Sequence, residues 1–456
     1  MRKLIEFQIL DKNAEQYNVD LTSLMTQAGQ AVADHIINNY ENNKVVTIIC
    51  GSGNNGGDGY VTANILINEG FKVNILSSGL PRSKIANKAY SQLNCDVLSL
   101  NKLSEFREIS DILIDCLLGS GIIGEVRSPL DKCILLMNQF PIIVSVDVPS
   151  GIGTACSVIP DTTITFHDYK TIMNNSNSGE IILADIGFPK EVDNLTGPGE
   201  LLLFPDWDGK KHKGQNGKVA IVGGGAFSGA PYLAGLGSYR SGSDLVHVFV
   251  PENSYESVSS FIPELIVHKL NGNKVNSDNI RVLFNNKFDS IVIGPGMGKE
   301  SESLEAVQLV IDNCDNIVID ADAINLYDFN SKNIVITPHR GEIERLGIIP
   351  TEKDMSQFAS KNNITLILKG EIDFITDGTY SKQNETGHPR MAVGGTGDVL
   401  AGVLGALLAR GLTPYESARL ATYSLGVAGE KTYNEIGSGF LPTDLALSLS
   451  NVLRTN

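Results

Sequence analysis

The stretch that decides the fold is "KVVTIICGSGNNGGDGYVTANILINEG", residues 44–70. It opens on an apolar, β-branched run, "VVTIIC", of the kind found in strands covered on both faces. It closes on "YVTANILINEG", a longer segment with a helical character. Between them stands "GNNGGD", Gly53 to Asp58, six turn-forming residues where a surface turn needs one or two. A loop that leaves a parallel strand and enters a helix is the usual ligand position in an open α/β sheet. Glycines let the backbone approach a ligand, and the helix N-terminus offers unpaired N–H groups to an anion such as a pyrophosphate. The spacing is neither G-x-G-x-x-G nor G-x-x-x-x-G-K-[ST]. Taken alone, the loop reads equally well as a polar strand-to-helix turn.

The same texture recurs along the chain. Strand candidates are "VVTIIC", "KVNIL", "DILIDCLL", "PIIVSVDV", "TITF", "KVAIVGG", "LVHVFV", "SIVIGPG", "NIVIDA", "NIVITP" and "TLILKG", alternating with helix-like segments. This pattern predicts an α/β protein with parallel sheets. Near residue 205 a stretch of mixed Pro, Gly and charge, "PKEVDNLTGPGELLLFPDWDGKKHKGQNGK", interrupts the pattern, which begins anew at "KVAIVGGG". Two modules are therefore expected, 1–205 and 210–456. No fixed-period repeat points to a solenoid.

A chain of 456 residues with 42% hydrophobic and 19% charged residues has ample material for two cores. The formal net charge of -16 excludes a global nucleic-acid footprint but not a local phosphate pocket. "MRKLIEFQILDKN" has no signal-peptide h-region, and no apolar run approaches ~18 residues, so no membrane association is expected. The six cysteines are scattered without a C-x-x-C pair, which fits free thiols in a reducing, cytoplasmic setting.

Further strand ends carry polar residues. "DCLLGSGIIGEV" places Asp115 before Gly119, Gly121 and Gly124, and "SVDVPSG" places Asp147 and Ser150. Each aspartate alone also fits a helix cap or a turn; three such ends in one sheet point to a site. In the second module "MAVGGTGDVLAGVLGALLARG" sets Gly394, Gly395, Thr396 and Gly397 as a loop whose N–H groups can cradle an anion. Asp398 follows at the mouth of a helix for which Gly411 is the expected C′ residue. The helix dipole favours the ionised form of Asp398 and so a weak base. "GPGMG" (294–298), "DADAINL" (Asp320, Asp322, Asn325), "TPHRGEIERL" (His339, Glu342) and "LKG" (Lys369, Gly370) are four further strand ends of this kind. His339 follows a proline at the end of "NIVIT", where a core histidine would be odd.

Together, "GxGNNGGDG", "DxxxGxG" and "DxPSG" resemble the NAD(P)H-hydrate epimerase domain. "HKGxxGKVAIVGG", "GPGMG", "DADAxN", "TPHxGE", "LKG" and "MAVGGTGDVLAG" resemble the ADP/ATP-dependent NAD(P)H-hydrate dehydratase domain, and the resemblance covers nearly the whole chain. It implies two three-layer αβα domains, the first Rossmann-like and the second ribokinase-like. It implies an enzyme that interconverts the epimers of hydrated NADH or NADPH and dehydrates the S form with phosphate-bond energy.

By the same resemblance, Asn54, Asn55, Gly56, Gly57 and Asp58, with Gly119, Ser120, Gly121, Ile122, Ile123, Gly124 and Glu125, would bind the hydrate's pyrophosphate and ribose. Asp147 would lie near the nicotinamide ring with a catalytic role. Asn55, Asp115 and Ser150 would offer oxygens to a potassium ion. In the second domain Asp398 would deprotonate the C6 hydroxyl, and Gly296 and His339 would line the hydrate pocket. Lys369, Gly370, Glu371, Ile372, Asp373 and Gly397 would hold ADP or ATP, with magnesium. The expected partners are these small molecules, with no nucleic acid and no membrane, in a homo-oligomer. Two departures from the family pattern are Ser243–Asp244, in "SGSDLVHV", and His167, in "TFHDYK".

Two rival readings stand beside this one. A ribokinase-like small-molecule kinase shares the glycine loop and its aspartate but tends to carry "TPNxxE", where this chain has His339. A non-catalytic N-terminal binding module would have no need of Asn55, Asp115, Asp147 and Ser150 together.

Overall fold

The computed structural model describes residues 1–121, 124–207, 210, 212–330 and 333–454. The chain divides into two compact units, Met1–Val192 and Asp193–Asn456.

In the first unit the strands are β1 (Val45–Cys50), β2 (Lys72–Ser77), β3 (Val97–Ser99), β4 (Ile112–Cys116), β5 (Ile143–Val146), β6 (Thr162–Phe166) and β7 (Glu180–Ala184). They form one sheet in the order β3-β2-β1-β4-β5-β6-β7, every pairing parallel. The order reverses between β1 and β4. Residues on the two faces of the sheet are buried in separate apolar clusters, one around Ile48 and Ile114 and one around Ile49 and Leu113. That double burial is why these strands read as continuous apolar runs.

The second unit carries β8 (Lys218–Val222), β9 (Leu245–Pro251), β10 (Ile266–Leu270), β11 (Ser290–Ile293), β12 (Ile317–Ile319), β13 (Ile334–Ile336), β14 (Thr365–Leu368), β15 (Asp373–Thr376) and β16 (Ser381–Asn384). Their order is β10-β9-β8-β11-β12-β13-β14-β15-β16, reversing between β8 and β11. β14, β15 and β16 pair antiparallel, a departure from the all-parallel expectation. All eleven strand candidates in the sequence are strands. The glycine-loop helix spans Thr396–Ala409, its residues 399–408 all buried, and Gly411 beyond it has φ +96 as its C′ role requires.

The sequence places the module boundary near 205, whereas the structure divides the chain at Val192. The reason is that residues 195–204 are bound into the second unit. Gln383 N donates to Asn194 O and Thr196 N donates to Gln383 O, extending the β16 edge. Glu200, fully buried, lies 3.5 Å from Lys382 Nζ and 3.4 Å from Arg419 Nε, both also buried. A buried carboxylate between two buried cations is costly to disturb from either side. Glu200→Gln should therefore lower the stability of the second unit by about 3–5 kcal/mol, read from its urea midpoint. An unchanged midpoint would mean that the cations are satisfied without it.

Candidate functional site

In the first unit the loops after β1 and β4 flank the point where strand order reverses. Gly51 N donates to Cys116 O at 2.9 Å, and a Cβ on Gly51 would fall 1.9 Å from Leu117 O. Helix α1 spans Leu4–Gln16, α2 Leu21–Asn39 and α3 Asn54–Asn68. The N-cap of α3 is Gly53, with no side-chain cap. Gly53, Asn54, Asn55 and Asp58 border a cavity of about 860 Å³, large enough for a dinucleotide-sized ligand. Gly119, Ser120, Gly121, Glu125 and Asp147 border it too.

Gly56 and Gly57 do not border the cavity. They lie inside α3, where a Cβ would meet Gly51 O at 2.0 Å and Met25 Cε at 2.5 Å respectively. These glycines serve close packing of helix on strand and helix on helix, not a left-handed turn. Gly124, at φ +76, is likewise not part of the cavity wall, and Ile122 and Ile123 lie outside the described residues.

Asp115 is fully buried beneath the cavity. It accepts from Ser145 Oγ (2.9 Å), Ser150 N (2.8 Å), Ser150 Oγ (2.5 Å) and Leu117 N (3.2 Å). Burial raises its pKa, and these hydrogen bonds oppose the rise. Asn55 Nδ2 donates to Leu118 O at 3.2 Å, while Asn55 Oδ1 is buried without a hydrogen-bond partner. Asn55, Asp115 and Ser150 thus come together through the Leu117–Leu118 backbone.

Asp147 sits at φ +63, a left-handed conformation that few residues other than glycine adopt and that aspartate tolerates better than most. Its Oδ1 accepts from Lys170 Nζ at 2.5 Å. Lys170 is fully buried, also bonds Thr165 Oγ1 and Phe166 O, and lies 4.2 Å from the centroid of the Phe7 ring. His167 borders the cavity, its ring 4.8 Å from that of Phe188.

Several wall residues were not singled out in the sequence. Arg82 and Arg127 bring positive charge to the cavity of an acidic chain. Asp11 also borders it. Lys170 could have been noticed as a lone cation following the "TITF" strand. Asp11 gave no local signal, since it lies in a helix far from any glycine loop.

In the second unit the loops after β8 and β11 meet at the reversal, where Gly224 N donates to Pro295 O and Phe227 N to Gly296 O. Gly296 therefore sits at the switch point. β12 ends in Asp320, almost fully buried, which accepts from Thr337 Oγ1 (2.6 Å) and Lys369 Nζ (2.8 Å). Lys369 Nζ also lies close to Gly397, 3.4 Å from where a Cβ would stand. Gly395, at φ +107, turns the chain into the helix that presents Asp398.

The helix-dipole expectation for Asp398 is overturned. Burial pushes its carboxyl up to about 7, with the Asp320 charge adding and Lys369 opposing. Desolvation beside a like charge outweighs a dipole effect of at most about 2 kcal/mol. His339 is the N-cap of the helix Arg340–Arg345. Its Nδ1 accepts from Glu342 N at 3.3 Å and its Nε2 lies 3.4 Å from Glu342 Oε1. Lys369 N donates to Pro338 O, which brings His339 beside the turn Lys369–Asp373. Gly370 and Asp373 close a turn, Gly370 N donating to Asp373 Oδ1 at 3.1 Å, with Glu371 and Ile372 exposed between them. Asp244 accepts from Gly214 N and Asn216 N, so that this departure caps the loop before β8.

Residues 21–172 match the family model described as YjeF-related protein N-terminus, and residues 219–451 match NAD(P)H-hydrate dehydratase. The chain is 34% identical to a bifunctional NAD(P)H-hydrate repair enzyme of Methanothermobacter thermautotrophicus, over 99% of this chain and 95% of that one. The corresponding enzyme of Archaeoglobus fulgidus is also 34% identical, over 98% and 97%. The chain belongs to the family of bifunctional NAD(P)H-hydrate repair enzymes. It is an enzyme with an epimerase unit followed by a dehydratase unit. The ADP/ATP-dependent NAD(P)H-hydrate dehydratase of Bacillus subtilis, crystallised with ATP and magnesium, superposes with a TM-score of 0.50 at 26% identity. It covers 56% of this chain and 95% of its own. A ribokinase-like protein of Enterococcus faecalis (TM-score 0.52, 24% identity, 57% of this chain and 95% of that one) shares the fold.

The two kinds of position in "GNNGGD" should separate on mutation. Gly56→Ala, whose methyl meets backbone, should cost about 1–3 kcal/mol, seen as a lower melting temperature. Asn54→Ala, open to the cavity, should leave the melting temperature unchanged. Equal effects would contradict the division into packing glycines and cavity-facing asparagine.

Proposed function

We propose that the first unit interconverts the R and S hydrates of NADH and NADPH in the cavity beside α3, and that the second unit dehydrates the S epimer with ADP or ATP. The observation that carries the second half is Asp398: a carboxyl titrating near neutrality, beside a glycine loop suited to an anion and facing the Asp320–Lys369 pair. Asp398 takes the proton of the C6 hydroxyl as its oxygen attacks the terminal phosphoryl group. The N–H groups of Gly394–Gly397 and the Lys369 ammonium offset the negative charge that builds on the phosphoryl oxygens. Phosphate then leaves C6, pushed by the ring nitrogen, and loss of a C5 proton restores the double bond. Magnesium enters with the nucleotide as part of the co-substrate.

In the first unit α3 receives the pyrophosphate, assisted by Arg82 and Arg127, and Asp147 faces the nicotinamide ring. The oxygens of Asn55, Asp115, Ser150 and Leu118 suit potassium. They are hard donors with a single formal charge, and Asn55 Oδ1 awaits a partner. Among the described residues no three His, Cys, Asp or Glu side chains converge as a site for a softer metal. Bound potassium would supply positive charge against the buried Asp115.

A base must be unprotonated to act, so dehydration of the S hydrate should rise with pH through about 7. Asp398→Asn should lower it about 10²- to 10⁴-fold and leave epimerisation intact, followed as recovery of reduced-nicotinamide absorbance together with free phosphate. A stable phosphorylated product without that absorbance would indicate a kinase. For the ion, epimerisation should be faster in potassium than in tetramethylammonium; equal rates would remove potassium from the site.

A further inference from the structure

The helix α1 is fastened over the cavity of the first unit. Arg2 N donates to Tyr169 O, Thr171 N donates to Arg2 O, and Arg2 Nε pairs with Asp168 at 3.2 Å, which ties the start of the helix to the segment bearing Lys170. Gln8 Nε2 donates to Ser120 O at 2.9 Å, which ties its middle to the loop after β4. Phe7 lies against Lys170. Asp11 stands four residues on, one turn along the same face, and borders the cavity together with Asp58 and Asp147.

The three carboxylates differ in what holds them. Asp147 is ion-paired with a buried lysine. Asp58 lies in the first turns of α3, and its pKa is raised by burial first and then by Asp147 and Asp11. Asp11 has no hydrogen-bond or ion-pair partner among the described residues, although a ligand-sized space lies in front of it. Of the three, Asp147 alone is ion-paired; a charge-paired carboxylate facing an unpaired carboxyl across one cavity is the arrangement that separates a base from an acid, and Asp11, on the helix fastened over the cavity, is the unpaired group opposite Asp147's segment.

We propose that Asp11 is the proton donor of the epimerase site, with Asp147 as its counterpart; this rests on the epimerase reading above. The protonated carboxyl of Asp11 gives its proton to the departing C6 hydroxyl, the ring-nitrogen lone pair forms the C6–N1 double bond, and water leaves. Water then adds to C6 from the opposite face and loses its proton to Asp147. Proton exchange through solvent restores both groups, so that no atom or electron is gained or lost over the cycle. The surroundings suit this role. Asp11 stays open to the solvent of the cavity, and the atoms packed around it push its pKa up to about 6 by desolvation, with Asp147 and Glu15 adding to the rise and Lys170 and His167 opposing it.

The acid form is present below that value, so the epimerisation rate should fall as pH rises through about 6. The test follows the R-to-S ratio of NADPH hydrate, above the uncatalysed rate, for the full-length protein and for Asp11→Asn and Asp11→Glu. Asp11→Asn should lower the epimerisation turnover about 10²-fold or more, with little change in KM. It should abolish the limb near pH 6 and leave dehydration of pure S hydrate unchanged. Asp11→Glu should restore part of the rate together with the limb. A wild-type rate in Asp11→Asn, or an unshifted limb in that variant, overturns the assignment of Asp11 alone. A wild-type protein that does not epimerise overturns both the assignment and the reading of the unit on which it rests.

Discussion

Between β1 and β4, and again between β8 and β11, two parallel neighbours send their crossovers in opposite directions along the sheet. Because parallel crossovers are right-handed, the connecting helices go to opposite faces, and the ends of the two strands are left uncovered. A crevice is unavoidable there, and its floor must be backbone. In the first unit Gly51 presses on Leu117; in the second Gly224 and Phe227 bond to Pro295 and Gly296. No side chain fits between such loops. The glycines follow from topology before any ligand is considered, and the ligand-facing residues are those left at the rim of the contact.

The chemistry of both crevices is then set by how each aspartate is neutralised. Asp115 is encircled by four donors and serves as a fixed anchor between strand ends. Asp320 is fixed by Thr337 and Lys369. Asp398 faces the same lysine at longer range and has Asp320 as a neighbour, so its proton is held more tightly. One residue type thus supplies both firmly ionised anchors and carboxyls that hold their proton, according to whether its partners are donors or competitors for charge. The Asp320–Lys369 pair has a double effect on Asp398. The Asp320 charge raises the Asp398 pKa, and the Lys369 charge works against that rise.

The sheets were legible in the sequence because strands buried on both faces leave uninterrupted apolar runs. Five strands were not: β3, β7, β10 and β16 are the edges of the two sheets and β15 is next to one, and short segments there such as "VLS", "DFIT" and "SKQN" need no continuous apolar run. The division at Val192 is hidden from the sequence for a related reason. Residues 195–204 have no periodicity, and what binds them to the second unit is one buried carboxylate, Glu200, and a strip of edge hydrogen bonds. The glycine loops announced the sites, but the local pattern could not say which glycines face a ligand. Gly53 opens to the cavity, while Gly56 and Gly57 are packed against Gly51 and Met25. Asp11 and Lys170 reach the first site from segments with no glycine signature, because closing a crevice needs elements distant in sequence. The environment of Asp398 is not legible locally: a dipole can be read from a helix start, whereas burial and the nearness of Asp320 belong to the tertiary fold.

Backbone strain marks the same places. Among the described residues, six other than glycine have positive φ: Asn18, Asp147, His167, Asn316, Ala321 and Asn363. The three asparagines tolerate this conformation through their short polar side chains. The remaining three are at or beside the sites. Asp147 and His167 border the first cavity, and Ala321 separates Asp320 from Asp322. Such a conformation costs on the order of 1–3 kcal/mol and persists only when its surroundings over-determine it. For Asp147 those surroundings are visible: its N donates to Ile164 O and its carboxylate receives Lys170. A strand end turned this way holds its carboxylate in a fixed direction without depending on a mobile loop. The strain at Asp147 and the burial of Lys170 therefore belong to one device. The lysine's cost of burial is met by the aspartate's charge, and the aspartate's strained backbone is held by the lysine.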